Sequence, residues 1–428
     1  MSVHWHRTVH IHTASQKHQN VFWKANSVFN PFYQVYRHGD RSPISTFPTN
    51  ECRDWPQGFG QLTREGMKQQ YKLGKYLRNR YRRLLSPEYK RKEIYVLSTD
   101  TDRTIMSAQT NLAGLFPPSG KQIWHHRIPW QPIPVHTLPR KQDRLLSYPI
   151  HGCTRFNKLL KETLDSGAFK IKLKDYMPFL GQIAPKLGYD VKTLLDVNNQ
   201  KLWNAYDTLL VQRLHQYRNP DWADQATLDK MKSLLEIGLS AVFGEHKREE
   251  KARVQGGLLV KAILEEISKA ASNADPRKMM MYSAHDTTIV ALQTALDVSN
   301  KKLPPYAACH LFELYQESNG QHTIEMYYQT DVTQDPTPLT LPGCSKACPL
   351  DKFKQLVAPI IVDNWEAECT LTDFAKEVMK ADLVVEPLSI LGVDQNHQKD
   401  QVEIQMVAKG SRERTCSLAP LPPALRAS

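Results

Sequence analysis

Three times in this 428-residue chain an apolar, strand-like run ends in a polar turn and passes into a new segment of different character. The first run, residues 32–36 (Phe-Tyr-Gln-Val-Tyr), alternates as a strand does and stops at Arg37-His38-Gly39-Asp40-Arg41-Ser42-Pro43. Gly39 and Pro43 break regular structure there, so the basic residues sit on a turn. The second run, residues 93–99, stops at Asp100-Thr101-Asp102-Arg103, after which Ile105, Ala108, Leu112 and Leu115 recur at helical spacing as far as Pro117-Pro118. The third, residues 278–284 (Lys-Met-Met-Met-Tyr-Ser-Ala), stops at His285-Asp286-Thr287-Thr288 and continues with Ile289, Leu292 and Leu296 as a helix. Repetition of this plan predicts an α/β fold with a parallel sheet. Its three turns would then line one crevice at the edge where open α/β sheets bind ligands.

The turns carry Arg37, His38 and Arg41, then Arg103, then His285 and Asp286. Guanidinium forks hold anionic oxygens, a neutral imidazole nitrogen can attack phosphorus, and a carboxyl can protonate a leaving oxygen. Together these groups meet the needs of phosphoryl transfer without a metal or other cofactor. Plainer readings exist for each member. Arg37-His38 alone is a basic surface turn, Arg103 alone is a salt-bridge partner for Asp100, and His285-Asp286 alone is a helix cap. Adjacent His and Asp also occur as ligands in metal phosphohydrolases, but that site needs further His and Asp ligands, and none stands at suggestive spacing.

Length allows one large domain with an insertion, or two domains. Residues 1–30, with five histidines, are expected to be an unstructured leader; 31–150 and 246–370 would form the α/β part, 151–245 an inserted helical domain, and 371–428 a disordered tail. Thr63 is placed to cap a helix reaching about residue 85, and further strands are expected around 310–316 and 322–328. The net charge of +12 would suit nucleic acid, yet no zinc-finger spacing, RNP-like motif or basic heptad accompanies it. Anionic small ligands account for the charge as well, and no nucleic-acid partner is expected. No apolar run is long enough to span a bilayer, and the polar start does not look like a signal peptide. Seven scattered cysteines fit no zinc cluster; Cys344 and Cys348 could close a small loop, and an odd count leaves at least one thiol free or intermolecular.

Six motifs in order resemble the histidine acid phosphatases, in the branch of the prostatic, lysosomal and testicular enzymes. They are Tyr-Arg-His-Gly-Asp-Arg-Ser-Pro (36–43), Trp-Pro-Gln-Gly-Phe-Gly-Gln-Leu-Thr (55–63), Ser-Thr-Asp-Thr-Asp-Arg-Thr (98–104), Trp-Gln-Pro-Ile-Pro-Val-His-Thr (130–137), Met-Tyr-Ser-Ala-His-Asp-Thr-Thr (281–288) and Leu-Pro-Pro-Tyr-Ala-Ala-Cys-His (303–310). The likeness spans roughly residues 32–370. It implies a mixed, largely parallel sheet flanked by helices, with a smaller helical domain, and a metal-independent acid phosphatase acting on phosphate monoesters. His38 would be the nucleophile forming a phosphohistidine and Asp286 the proton donor to the leaving alcohol. Arg37, Arg41, Arg103 and His285 would bind the phosphate. The resemblance also implies a homodimer using the region 130–136, a lysosomal or secreted location, and disulfides Cys153–Cys369 and Cys344–Cys348. It leaves Cys309 unpaired, because the position of its partner holds Val211.

Besides that missing cysteine partner, three features depart from that pattern. Pro31 cannot donate to a ladder, so the strand before Arg37 is expected to be limited to about five residues; the leader before it is also unlike a signal sequence. The tail carries no apolar anchor of the lysosomal kind. The alternative that follows is a non-catalytic phosphate-binding or misassembled chain.

Overall fold

The computed structural model describes residues 27–52, 54–147 and 152–370, with residues 27–30 as backbone only. The expected leader up to residue 26 and the expected tail from 371 lie outside the described residues. The apolar runs form one mixed sheet: β1 (Ser27–Arg37), β2 (Ile94–Thr99), β3 (His136–Leu138), β4 (Met279–Ala284), β5 (Cys309–Glu317), β6 (His322–Gln329), β7 (Thr337–Leu339) and β8 (Cys348–Pro349). Their order is β3-β2-β4-β1-β5-β6-β7, with β8 also on β6. The block β3-β2-β4-β1 is parallel, and β5 adds to it antiparallel.

Alternation along β1 decides which helices cover which face. Phe32 and Tyr36 join Met279 and Met281 against Leu73, Leu77, Ala108 and Leu112, which come from α1 (Arg64–Arg80) and α2 (Asp102–Leu115). Tyr33 and Val35 point the other way. They meet helices α9 (Arg248–Val254), α10 (Gly256–Ala271) and α11 (Asp286–Ala295) through Ala252, Leu259, Ile263, Ile289 and Leu292. β4 is buried along its whole length, as a central parallel strand covered on both faces requires.

The expectation for β1 needs correction. The strand has eleven residues, not about five, and runs through Pro31. Its parallel pairing with β4 begins only at Phe32, whose N–H donates to Lys278 O at 3.0 Å. On the β5 side, Phe29 faces Tyr315 and Phe32 faces Glu313, so Asn30 and Pro31 share the space opposite one residue. This is a bulge, where a strand accommodates proline.

Between β3 and β4 lie α3 (Thr154–Asp165), α4 (Gly167–Lys174), α5 (Met177–Leu187), α6 (Val191–Leu195), α7 (Lys201–Leu214) and α8 (Gln225–Phe243). Leu180, Ile183, Leu187, Leu209, Leu228 and Met231 give α5–α8 an apolar cluster of their own, and Phe47 from the loop after Arg41 enters it. The described residues close with α12 (Leu350–Val357) and α13 (Trp365–Cys369). Cys369 is bonded to Cys153 at the start of α3 across 216 residues, a crosslink that stabilises by roughly a few kcal/mol. Cys344 is bonded to Cys348, and Cys309 is free and buried.

Candidate active site

Parallel strands bring their C-terminal ends to one edge. Arg37 lies beside Ala284, Ser98 lies beside Ser283, and His38 N–H donates to Ala284 O at 3.0 Å. All six polar residues singled out in the sequence therefore gather at one place, where α2 and α11 also begin and turn their positive ends.

His38 is only 2% exposed. Its Nδ1 lies 2.8 Å from Gly39 O, and a carbonyl can only accept, so the ring proton sits on Nδ1 and Nε2 keeps its lone pair. Burial and then the charges of Arg103, Arg37 and Arg41 hold its pKa well below the usual histidine value, so the ring stays neutral in acid. The turn is braced from both helices beneath it. Gly39 N–H donates to Ser107 Oγ of α2 at 3.1 Å, and a Cβ on Gly39 would stand 2.3 Å from Gly66 O of α1. Only glycine allows that approach.

The three arginines are not equivalent. Arg37 Nη2 is 2.7 Å from Asp286 Oδ2, its Nη1 donates to Pro304 O at 2.6 Å, and its guanidinium lies 4.2 Å from the Tyr306 ring centroid. Arg41, 1% exposed, is paired with Asp207 Oδ2 at 2.7 Å. Arg103 has no carboxylate partner among the described residues; its Nη2 lies 3.5 Å from His285 Nδ1. Burial and Arg41 lower its pKa to about 10, which still leaves it a cation. The Nε of each of the three arginines is buried without a hydrogen-bond partner among the described residues. A buried guanidinium N–H left unsatisfied is costly, and three around one imidazole are the mark of an anion site.

A hydroxyl relay sets the state of His285. Thr104 Oγ1 donates to backbone carbonyls, Thr101 O at 2.7 Å or Thr99 O at 3.0 Å, so it accepts from Thr99 Oγ1 at 2.8 Å. Thr99 Oγ1, its own proton spent, accepts from His285 Nε2 at 3.0 Å, which leaves Nδ1 to accept from Arg103. Burial and Arg103 bring the His285 pKa down to about 3. In Asp286, burial favours the protonated form, but Arg37, Arg41 and His285 outweigh it and lower the pKa below its ordinary value. Thr287 N–H adds a bond of 2.8 Å to Oδ1. The carboxyl is ionised while it faces Arg37.

Several contributors were not found in the sequence. Asp207 and His215 come from α7 and its C-terminal end, far along the chain. Asp207 also accepts from Ile44 N–H, and His215 Nε2 lies 2.7 Å from Asp40 Oδ2, which the Thr63 hydroxyl also reaches. Asp40 raises the pKa of His215. The Arg41–Asp207 ion pair and the His215–Asp40 hydrogen bond thus tie the helical segment to the His38 turn. A carboxylate among the apolar neighbours of residues 206–211 signals a buried cation, but not which one. Among the described residues no group of three or more His, Cys, Asp or Glu is arranged to hold a metal ion.

Comparison with known proteins identifies the family. The histidine phosphatase superfamily (branch 2) matches residues 33–329. Prostatic acid phosphatase of Bos taurus is 49% identical over 341 residues, covering 79% of this chain and 86% of its own. Lysosomal acid phosphatase of Homo sapiens is 45% identical over 339 residues, covering 79% of each. Among solved structures, a Hafnia alvei phytase superimposes with a TM-score of 0.60 at 17% identity, over 81% of this chain and 100% of that one, a likeness of fold.

Proposed function

The chain belongs to the histidine phosphatase superfamily, branch 2, and from that premise we propose that it is an acid phosphatase cleaving phosphate monoesters through a covalent phosphohistidine on His38. The observation that carries this reading is the neutral His38 ring enclosed by three arginines with unsatisfied buried N–H groups. His38 Nε2 attacks phosphorus as the ester P–O bond breaks, and Asp286 gives its proton to the departing alcohol. A water then attacks the phosphohistidine, Asp286 takes the water's proton, and orthophosphate leaves with His38 restored. Arg37, Arg41 and Arg103 hold the oxygens whose charge grows on the way, and His285 completes the clamp by holding Arg103 in place.

The purified chain should hydrolyse p-nitrophenyl phosphate in acid, at a rate that EDTA leaves unchanged. Loss of activity with EDTA, restored by a divalent cation, would overturn the metal-free mechanism. The alternative of a non-catalytic or misassembled chain is not favoured, since β1 forms both of its ladders despite Pro31.

We extend the reading to a homodimer through the region 130–136. β3 is an edge strand with exposed side chains, and Trp124, Ile128, Trp130 and Leu138, in it and in the segment before it, are exposed apolar residues. Light scattering at micromolar concentration should give twice the chain mass; a monomer removes this part. The disulfides Cys153–Cys369 and Cys344–Cys348 support an oxidising location, the lysosomal lumen or outside the cell. Free thiols at these positions in protein isolated from its source would count against it.

A further inference from the structure

The fourth strand of the parallel block ends at the same edge as the other three, and its turn is not used by the mechanism above. Leu138, the last residue of β3, lies beside Thr99 in parallel register, and Thr99 is the residue that holds His285. Arg140 follows two residues later, as Arg103 follows Thr99 by four on the neighbouring strand. The turn bearing Arg140 is fixed, because Gln142 N–H and Asp143 N–H both bond to Pro139 O, at 2.7 and 3.1 Å.

Arg140 and the adjacent Lys141 are exposed, and Arg140 has no ion pair or hydrogen bond among the described residues. The nearest acid in sequence is committed elsewhere: Asp143, 4% exposed, accepts N–H bonds from Leu145, Leu146 and Ser147. On the facing turn Asp102 Oδ2 accepts from Gln61. The positive charge of Arg140 acts on both Arg103 and His285, disfavouring their protonated forms. Arg37 and Arg41 are each ion-paired to a carboxylate, whereas Arg103 and Arg140 are two neighbouring guanidiniums with no ion-pair partner among the described residues. Such a pair is relieved by anions, and the transferred phosphate satisfies only the inner member.

We propose that Arg140 forms a second anion subsite beside the phosphate clamp, which takes a further phosphate, sulfate or carboxylate carried by the leaving group. The subsite makes the enzyme favour phosphomonoesters with a second negative charge over esters of neutral alcohols. This rests on the phosphatase reading, which the same experiment checks separately.

The test measures kcat/KM of the full chain for fructose 1,6-bisphosphate, fructose 6-phosphate and p-nitrophenyl phosphate. Arg140→Ala should lower the bisphosphate-to-monophosphate ratio about three- to tenfold, and Arg140→Glu should lower it further. Arg140→Lys should keep most of the preference, and p-nitrophenyl phosphate should change by less than about twofold in every variant. A ratio unmoved by Arg140→Glu, or an equal fall for all three substrates, overturns the subsite. No hydrolysis of p-nitrophenyl phosphate by the unsubstituted chain would instead overturn the phosphatase reading.

Discussion

Replacing His38 with alanine should abolish turnover, by at least about a thousandfold in kcat, while leaving the protein able to bind inorganic phosphate. The nucleophile is lost outright, because among the described residues no other unprotonated nitrogen is placed to replace Nε2. His285 Nε2 carries its proton to Thr99, and its Nδ1 is turned to Arg103. The binding charge remains, because Arg37, Arg41 and Arg103 are positioned by Asp286, Asp207 and His285 rather than by His38. Removing a buried ring that carries no charge leaves no carboxylate or cation unpaired. Two measurements check this together: the rate with p-nitrophenyl phosphate, and competition by orthophosphate in a direct binding assay. The unsubstituted enzyme, quenched during turnover, should carry an acid-labile phosphoryl group on His38 that the variant lacks. Substantial turnover in His38→Ala, or phosphoenzyme on another residue, would sink the assignment.

The same residues show how far the sequence could be read. The strand–turn–helix plan was legible because period-two apolar runs and Gly or Pro breaks are local, and the sheet edge follows from parallel pairing of those strands. Arg37, His38, Arg41, Arg103, His285 and Asp286 were legible for the same reason, since each falls within a few residues of a strand end. Asp207 and His215 were not. Their roles depend on how α7 is laid against the loop after Arg41, and helix-to-loop docking has no period in the sequence. The length of β1 is not legible from Pro31 alone, because a proline does not always stop a strand. The cost of its missing N–H depends on which side of the strand is paired, and the bulge opposite β5 leaves Pro31 outside the ladder with β4. Arg140 was also silent: an exposed arginine in a proline-rich stretch looks like any surface cation until β3 is placed beside β2.

Asp286→Ala should separate substrates by their leaving groups. The carboxyl has to carry a proton when the ester oxygen departs, yet opposite Arg37 it is held ionised. A phosphate dianion resolves the conflict. It competes for the guanidinium of Arg37 and brings negative charge close to Asp286, both of which raise the carboxyl's pKa in the complex. The sign follows directly: the acid works below that raised pKa, so kcat falls as pH rises through it, while His38, with its lowered pKa, remains neutral on the acid side. An acidic optimum is therefore expected without any metal-bound water. In Asp286→Ala, alkyl phosphates, whose alkoxide leaves poorly, should slow by about 10²- to 10⁴-fold. p-Nitrophenyl phosphate, whose phenolate leaves without help, should slow far less in forming phosphoenzyme, and its rate should lose the decline towards neutral pH. Arg37, freed of its partner, should also bind orthophosphate more tightly in the variant. Equal slowing of alkyl and nitrophenyl esters, with the pH decline intact, would show that the departing oxygen takes its proton from another group.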